Sequence, residues 1–472
     1  MSESKGSFRS NFGFLMSAVG VAIGLGNIWG FPYKMGANGG AVFLIIYLVM
    51  AVVIGYPLLV GELALGRKTR KAAVEAYRAA DPRFAFNGVF ETLVPFLLLC
   101  FYCVLGGIVL RYLIANIGDM FGASWGVHGM GSEEFFNKFV TNVPLSFLFT
   151  AIFLGLTSYV VFRGIEGGIE RFCSVGMPLL FVMLIITVIR CCTLPHASAG
   201  LEFIFKPDFS VLAHGGWFKV VATAASQLFF SISLGSGALI AYGSYMRKED
   251  NLEQNSFIIP VMDTIAALLA AMAVFPAVFS EGIAPSGGPG LLFVSLQTVF
   301  ESMKGFGALF GSIFYALVFV ASFSSSIGMM EGGISALMDY RAKRGKSINR
   351  PGVTLFITCT TLIGSTLVCF DHLGGNPDFW KPFGLDSWLN VFDLAGEGVL
   401  MPLGGLIMAI LLGWVRRGYL DDEVRASSAY KSKPFVDFCW RYAGPVIMAV
   451  VVFVQFSSFV FSNTGWYQAL MG

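Results

Sequence analysis

The chain has 472 residues, of which 56% are hydrophobic and only 13% charged, with 47 Phe and a mean hydropathy of +0.73. Soluble proteins carry roughly twice that share of charge, so the balance excludes a string of soluble domains, a disordered chain and any charged tail long enough to grip nucleic acid. The solvent is lipid, and with a net charge of only +2 charge informs through its position. Eight cysteines (100, 103, 173, 191, 192, 359, 369 and 439) lie mostly inside apolar stretches. Cys100 and Cys103 form a CxxC within an apolar helix, where they read as small core residues rather than a disulfide or zinc framework.

A bilayer core about 30 Å thick takes about 20 apolar residues per helix, and the pattern predicts eleven spans. Residues 1–10, MSESKGSFRS, are short and polar, lack a small-residue cleavage pattern and read as a cytoplasmic segment. Five spans follow at 11–33, 40–66, 89–117, 143–162 and 170–193, making a first group over 11–193. Residues 194–215 read as an extracellular loop. The second group, 216–415, holds spans at 216–246, 255–281, 308–338, 351–370 and 388–415. A cytoplasmic loop at 416–437 leads to an accessory span at 438–464 and an outer C-terminus within 438–472. Two outer segments, 200–213 and 289–304, are too polar or too short to span; they read as surface helices, with loop packing as the alternative.

Lys and Arg set the orientation. Loops after even-numbered spans carry Arg67, Lys68, Arg70 and Lys71; Arg247 and Lys248; Arg341, Lys343, Arg344 and Arg350; and Arg416, Arg417 and Lys431, whereas the alternate loops hold chiefly Lys138, Lys206, Lys304 and Lys381. The positive-inside bias predicts a cytoplasmic N-terminus and, with an odd number of spans, an extracellular or periplasmic C-terminus.

Two spans are interrupted. The first contains Gly20, Gly24 and Gly26, with Pro32 beyond, and the sixth contains Ser231-Ile-Ser-Leu-Gly-Ser-Gly237. Irregular backbone at membrane depth occurs only where protein or a water-lined cavity surrounds it. Glycine-interrupted segments at matching places in two halves point to a transporter site at the interface of an inverted 5+5 repeat. The exposed helix ends carry about half a charge each, so they can hold an anion and a cation together. Acids within spans cost about 2.5–3.5 kcal/mol at the bilayer centre on an insertion scale. Asp263, deep in span seven, reads as a cation ligand or proton site; Glu62, Glu331, Asp393 and Glu397 read at least as well as hydrogen-bonding residues. Ser322, Ser324, Ser325 and Ser326 in span eight offer hard oxygen ligands or helix-packing contacts.

These features resemble the neurotransmitter:sodium symporters, in particular bacterial amino-acid members of the leucine-transporter fold. The likeness runs over nearly the whole chain and is most specific in GVAIGLGNIWGFPY (20–33), FSISLGSGALIAYGSY (230–245) and ASFSSSIGMMEG (321–332). The resemblance implies an all-α membrane protein of about 11 transmembrane helices with helices one and six broken. It also implies two sodium sites and no organic cofactor. The first site would use the Ala22 carbonyl, Asn27, Ser231 and Asp263 with the substrate carboxylate; the second, the carbonyls of Gly20, Ile23 and Ala321 with the hydroxyls of Ser324 and Ser325.

The resemblance further places the substrate carboxylate at Leu25, Gly26 and the Tyr102 hydroxyl, and its ammonium near Ala22, Phe230 and Ser233. Amine transporters of the family carry an aspartate where this chain has Gly24, so the substrate is expected to bring its own carboxylate. Leu98, Phe230, Ser236, Ser326 and Met329 would line the side-chain pocket, whose small Ser236 favours a large apolar or aromatic amino acid. Animal relatives bind chloride near positions matching Tyr47, Gln227 and Ser231; the fixed charge of Asp263 implies chloride independence. For the gates, Phe230 and Tyr102 would close the outer side, and Ser244, Tyr245 and Asp339 with Phe8 and Lys5 or Arg9 the inner side. Gly30 stands where the family commonly has an arginine, which leaves Asp393 without that partner.

The expectation is a sodium-coupled amino-acid symporter of a bacterial inner membrane that works by alternating access, with a homodimer left open. A channel or orphan sodium-binding receptor of the same fold is the alternative. An enzyme is not expected: the four histidines (128, 196, 214 and 372) sit in loops or at span edges, without an HExxH helix or cofactor motif.

Overall fold

A computed structural model describes residues 6–282, 291–347 and 349–461, and every regular element among them is helical. Among these residues nine helices are long and apolar enough to cross a bilayer: Ala41–Thr69, Pro82–Met120, Val143–Phe162, Ile165–Cys192, Leu252–Ser280, Gly307–Lys343, Arg350–Gly374, Trp388–Val415 and Lys433–Ser457. A further span is a pair, Asn11–Ala22 and Gly26–Ala37, bent by 48°. The predicted span at 216–246 is two helices, Gly216–Ser231 and Ala238–Tyr245, separated by residues 232–237. At about 1.5 Å per residue neither half reaches across a bilayer alone. Counting this pair as the sixth, the spans are numbered one to eleven in chain order.

Burial separates centre from flank. In span three 78% of the apolar stretch is buried, against 33% in span four and 33% in span eleven, so the flanking spans turn apolar side chains outward as lipid requires. Spans one, three, six and eight meet in the middle and carry the site.

Proline explains much of the local geometry. Wide π-helical turns at Gly26–Gly30, Ala51–Gly55, Leu394–Leu400 and Cys439–Ala443 each end two residues before a proline, at Pro32, Pro57, Pro402 and Pro445. A proline removes one donor and its ring crowds the carbonyl four residues back, so the helix widens there to relieve the clash.

The first of the two segments predicted as surface helices forms the helix Ala197–Phe205 and a short turn, Phe209–Gly215. Gly200 presses on the backbone of span seven so closely that a Cβ would lie 2.5 Å from the Pro276 nitrogen. The second forms Leu291–Ser295 and Leu296–Ser302, while positions 289 and 290 lie outside the described residues. The C-terminal stretch beyond 461 also lies outside them.

One basic residue read as part of a loop is wholly buried. Arg67, in the last turn of span two, pairs through Nε with Glu423 at 2.7 Å and donates to the carbonyls of Asp250 and Glu423 at 2.7 and 2.5 Å. It ties span two to the segments after spans six and ten. Removing one partner of a buried pair leaves the other charge unpaired, at about 3–5 kcal/mol. Arg67→Met is therefore expected to lower stability by that amount in thermal unfolding, and Arg67→Lys to recover only part, because an ammonium cannot span all three acceptors.

Candidate functional site

The break in span one begins at Ile23, whose φ of −76° and ψ of 108° leave the helix. In a continuous helix the Gly24 N–H would bond the Gly20 carbonyl; here it donates to the Asn27 side-chain oxygen at 3.0 Å. Carbonyls around the break are thereby released from the helical ladder. The break in span six is made by positive φ at Ser233 (55°), Gly235 (67°) and Gly237 (67°). For the two glycines this conformation is unstrained, whereas Ser233 is held in it, with its hydroxyl 3.3 Å from the Val21 carbonyl of span one.

Asp263 is completely buried between the two breaks. Its carboxylate accepts from Asn27 Nδ2 at 2.7 Å, from the Ser231 hydroxyl at 2.9 Å and from the Tyr47 hydroxyl at 2.9 Å. A buried carboxylate must be paired or coordinate a cation, and no basic side chain joins this cluster among the described residues. On the other side of span one, the Ser325 hydroxyl lies 3.2, 3.1 and 3.1 Å from the carbonyls of Gly20, Val21 and Ile23. The neighbouring Ser324 bonds the Ala321 carbonyl at 3.0 Å. Three carbonyls converging on one hydroxyl form a cage of hard oxygens, the donor set that suits an alkali cation.

Between these two groups lies a small cavity lined by Val21, Ala22, Gly24, Gly26, Leu98, Tyr102, Phe230, Ser233, Ser325 and Met329. Leu25 stands behind it, its N–H donating to the Tyr102 hydroxyl oxygen at 2.9 Å, with the Ser325 hydroxyl beside the same phenol. Gly24 admits no side chain here: a Cβ would lie 2.4 Å from both the Ser325 and the Tyr102 hydroxyl oxygens. Ser236 does not line the cavity, because its hydroxyl bonds the Ser233 carbonyl at 2.6 Å. Ser326 turns away to the Phe323 carbonyl at 2.8 Å and to Thr157 of span four at 2.9 Å.

At one end of the cavity Phe230 forms the wall, and the Lys34 ammonium sits 5.8 Å from its ring centre. Lys34 is ion-paired with Glu397 of span ten, which also accepts from Ser226 of span six at 3.0 Å. Asp393 lies one turn before Glu397 and bonds its carboxyl, within reach of the Lys34 charge. Sequence reasoning missed Lys34 because it falls one residue beyond the predicted span at 11–33. The signal was its position one helical turn after Gly30, on the same face. Val21 was missed as well, since a carbonyl has no sequence signature.

At the opposite end Phe8 is buried edge-on against Phe14 (5.4 Å) and near Tyr242 (5.8 Å), and its N–H bonds the Tyr245 carbonyl at 3.2 Å. Tyr245 donates to Glu331 at 2.9 Å, and Glu331 is also paired with Arg350 of span nine. Asp339 accepts from the Ala72 N–H at 2.6 Å, and Ser244 bonds the Ala241 carbonyl at 2.6 Å. Arg9 pairs with Glu166 at 2.9 Å. Lys5 lies outside the described residues.

A helical membrane bundle whose first and sixth spans break beside a buried acid and an oxygen cage has the architecture of a secondary transporter. The model of the sodium:neurotransmitter symporter family matches residues 5–142 and 140–469, and the chain belongs to this family. Its members are transporters rather than enzymes. The chain is 34% identical over 467 residues to the uncharacterized sodium-dependent transporter YhdH of Bacillus subtilis, covering 98% of this chain and 99% of that one. It is 25% identical to the sodium- and chloride-dependent GABA transporter 2 of Mus musculus, covering 92% and 77% of the two chains. Among solved structures it resembles MhsT in complex with L-phenylalanine, with a TM-score of 0.86, 33% identity, and 96% of this chain and 100% of the other covered.

Because a Cβ at position 24 collides with two hydroxyls, Gly24→Ala is expected to displace Tyr102 or Ser325. Sodium-dependent thermal stabilisation of the purified protein should fall to background in this variant while the unliganded unfolding temperature stays within a few degrees of wild type.

Proposed function

We propose that the chain is a sodium-coupled symporter of zwitterionic amino acids with large apolar or aromatic side chains, working by alternating access without chloride. The observation that carries this reading is the cavity wedged between two oxygen sets that share the broken part of span one. One set would hold sodium with the Ala22 carbonyl, Asn27, Ser231, Asp263 and the substrate carboxylate. The other would hold it with the carbonyls of Gly20, Ile23 and Ala321 and the hydroxyls of Ser324 and Ser325. In the first set the Asn27 amide donates to Asp263; turning it over would present its oxygen to the ion.

Substrate recognition follows from the same geometry. The Tyr102 hydroxyl and the N–H groups near Leu25 and Gly26 would meet a carboxylate, and the carbonyls around Ala22, Phe230 and Ser233 an ammonium. Leu98, Phe230 and Met329 give the cavity an apolar end. Ser236 and Ser326, whose hydroxyls are engaged elsewhere, leave that end to these three residues. The bound L-phenylalanine of the related MhsT structure supports an aromatic or large apolar side chain. Asp263 supplies the negative charge that chloride would otherwise bring.

Lys34, paired with Glu397 over Phe230, takes the place of the arginine absent at Gly30 in closing the outer side. Phe8, Ser244, Tyr245 and Asp339 close the inner one, with Lys5 nearby in sequence. The N-terminus would then be cytoplasmic in a bacterial inner membrane.

Sodium and substrate share a ligand set, so each tightens the other by one and the same factor. Radiolabelled L-phenylalanine binding to the purified protein is expected to weaken by about 5- to 150-fold when potassium replaces sodium; unchanged binding would sink the proposal. In sealed proteoliposomes, uptake against a gradient should proceed at full rate with gluconate in place of chloride. Asp263→Asn should lose that chloride-free uptake, and normal transport by the variant without chloride would count against the role given to Asp263.

A further inference from the structure

A second pair of acids lies beside the break in span six, away from both oxygen sets. Glu62 of span two is 1% exposed and Glu91 of span three is fully buried. Glu62 Oε1 accepts the Gly235 N–H at 2.7 Å. Glu91 Oε1 accepts the Tyr77 hydroxyl at 2.6 Å and the Asn87 amide at 3.0 Å. The backbone of the break packs on the same spot: a Cβ on Gly404 would lie 3.1 Å from Glu91 Cγ and 3.3 Å from the Gly235 carbonyl oxygen. Glu62 is the charge neighbour of Glu91, and no basic side chain is bonded to either among the described residues.

The cluster is short of donors. Glu62 Oε2, Glu91 Oε2 and the Asn87 side-chain oxygen are all buried without a hydrogen-bond partner. Each buried unpaired acceptor is expensive, and two carboxylates in a medium of low polarisability cannot both ionise without a cation. The donors present are the Gly235 N–H, the Tyr77 hydroxyl and one Asn87 N–H, about enough for one carboxylate. The remaining groups facing the pair are the Gly404 carbonyl, which accepts from Asn87 at 3.1 Å, and the Gly235 carbonyl. Neither can supply a proton.

We infer that Glu62 and Glu91 form an ion-handling site separate from the two sodium sets, which binds a single proton shared between the two carboxylates. With the proton bound, the pair carries one negative charge and the orphaned oxygens gain a donor. Without it, two charges meet at Gly235, and the contact that holds the break of span six is strained. Gly235 belongs to the same interruption as Ser233 and follows Ser231, so proton occupancy would bias the segment that lines the cavity. That link to transport rests on the proposed function, whereas the proton site does not, and the test reads the proton directly.

Infrared spectra of the purified full-length protein in lipid nanodiscs near neutral pH are expected to contain a carboxylic C=O stretch. Glu62→Gln and Glu91→Gln should each remove the same component of this band, one distinct from that of the Asp393 and Glu397 pair, and Asp263→Asn should retain it. Loss from either single variant is the signature of sharing, because the remaining carboxylate then ionises against the new amide. A band kept in both variants, or lost in only one of them, would overturn the proposal. So would a wild-type band that disappears when sodium replaces potassium at fixed pH, which would mark an alkali-ion site. Tyr77→Phe keeps both acids and removes a donor to the charged form, so the pH at which the band is lost should move upward. An unmoved midpoint overturns the proposal even if the glutamine variants fail to fold.

Discussion

Backbone amides in hydrocarbon have no water to bond, and every unusual feature of this protein answers to that constraint. Where span one abandons its ladder, the Asn27 side chain takes over the Gly24 N–H, and the Ser325 hydroxyl gathers the carbonyls of Gly20, Val21 and Ile23. Where span six does so, Glu62 takes the Gly235 N–H and Ser236 returns to the Ser233 carbonyl. Of these repair groups, Asn27 and Ser325 are the side chains proposed to engage an ion. In span one, the repair of the backbone and the proposed binding therefore draw on the same side chains.

The same constraint decides where charge is tolerated. Buried Arg67 and half-buried Arg350 are each matched by a carboxylate and by carbonyl oxygen. Lys34 is matched by Glu397 with Asp393 beside it. Asp263, Glu62 and Glu91, by contrast, accept hydrogen bonds from neutral donors. The buried basic groups thus lock helices together through ion pairs, whereas these three acids are held by neutral donors.

Much of this was legible in the chain before any coordinates. Apolar runs about 20 residues long reveal spans because the bilayer fixes their length, and Gly20 to Gly26 and Ser231 to Gly237 betray the breaks because glycine at such density cannot sustain a helix. Asp263 stood out for its depth. Less could be read where backbone atoms do the work: the Val21 carbonyl leaves no trace in composition. Nor does residue type reveal rotamer, so Ser326 could be assigned to the cavity although its hydroxyl faces Thr157. Lys34 was hidden by a boundary, and the pairing of Glu62 with Glu91 depends on how spans two and three pack, which periodicity within each span does not encode.

The widened turns before Pro32, Pro57, Pro402 and Pro445 also change how each span can be read as a wheel. One extra residue in a turn retards the angular position of everything after it by about 100°. A single helical wheel drawn through span two, ten or eleven therefore assigns the wrong faces on one side of its proline. In span ten this phase step falls between Asp393, which lies beside Lys34 of span one, and Gly404, which meets Glu91. The same helix thus presents one face to the Lys34 cluster and a differently indexed face to the buried acid pair, and the proline sets the angle between them.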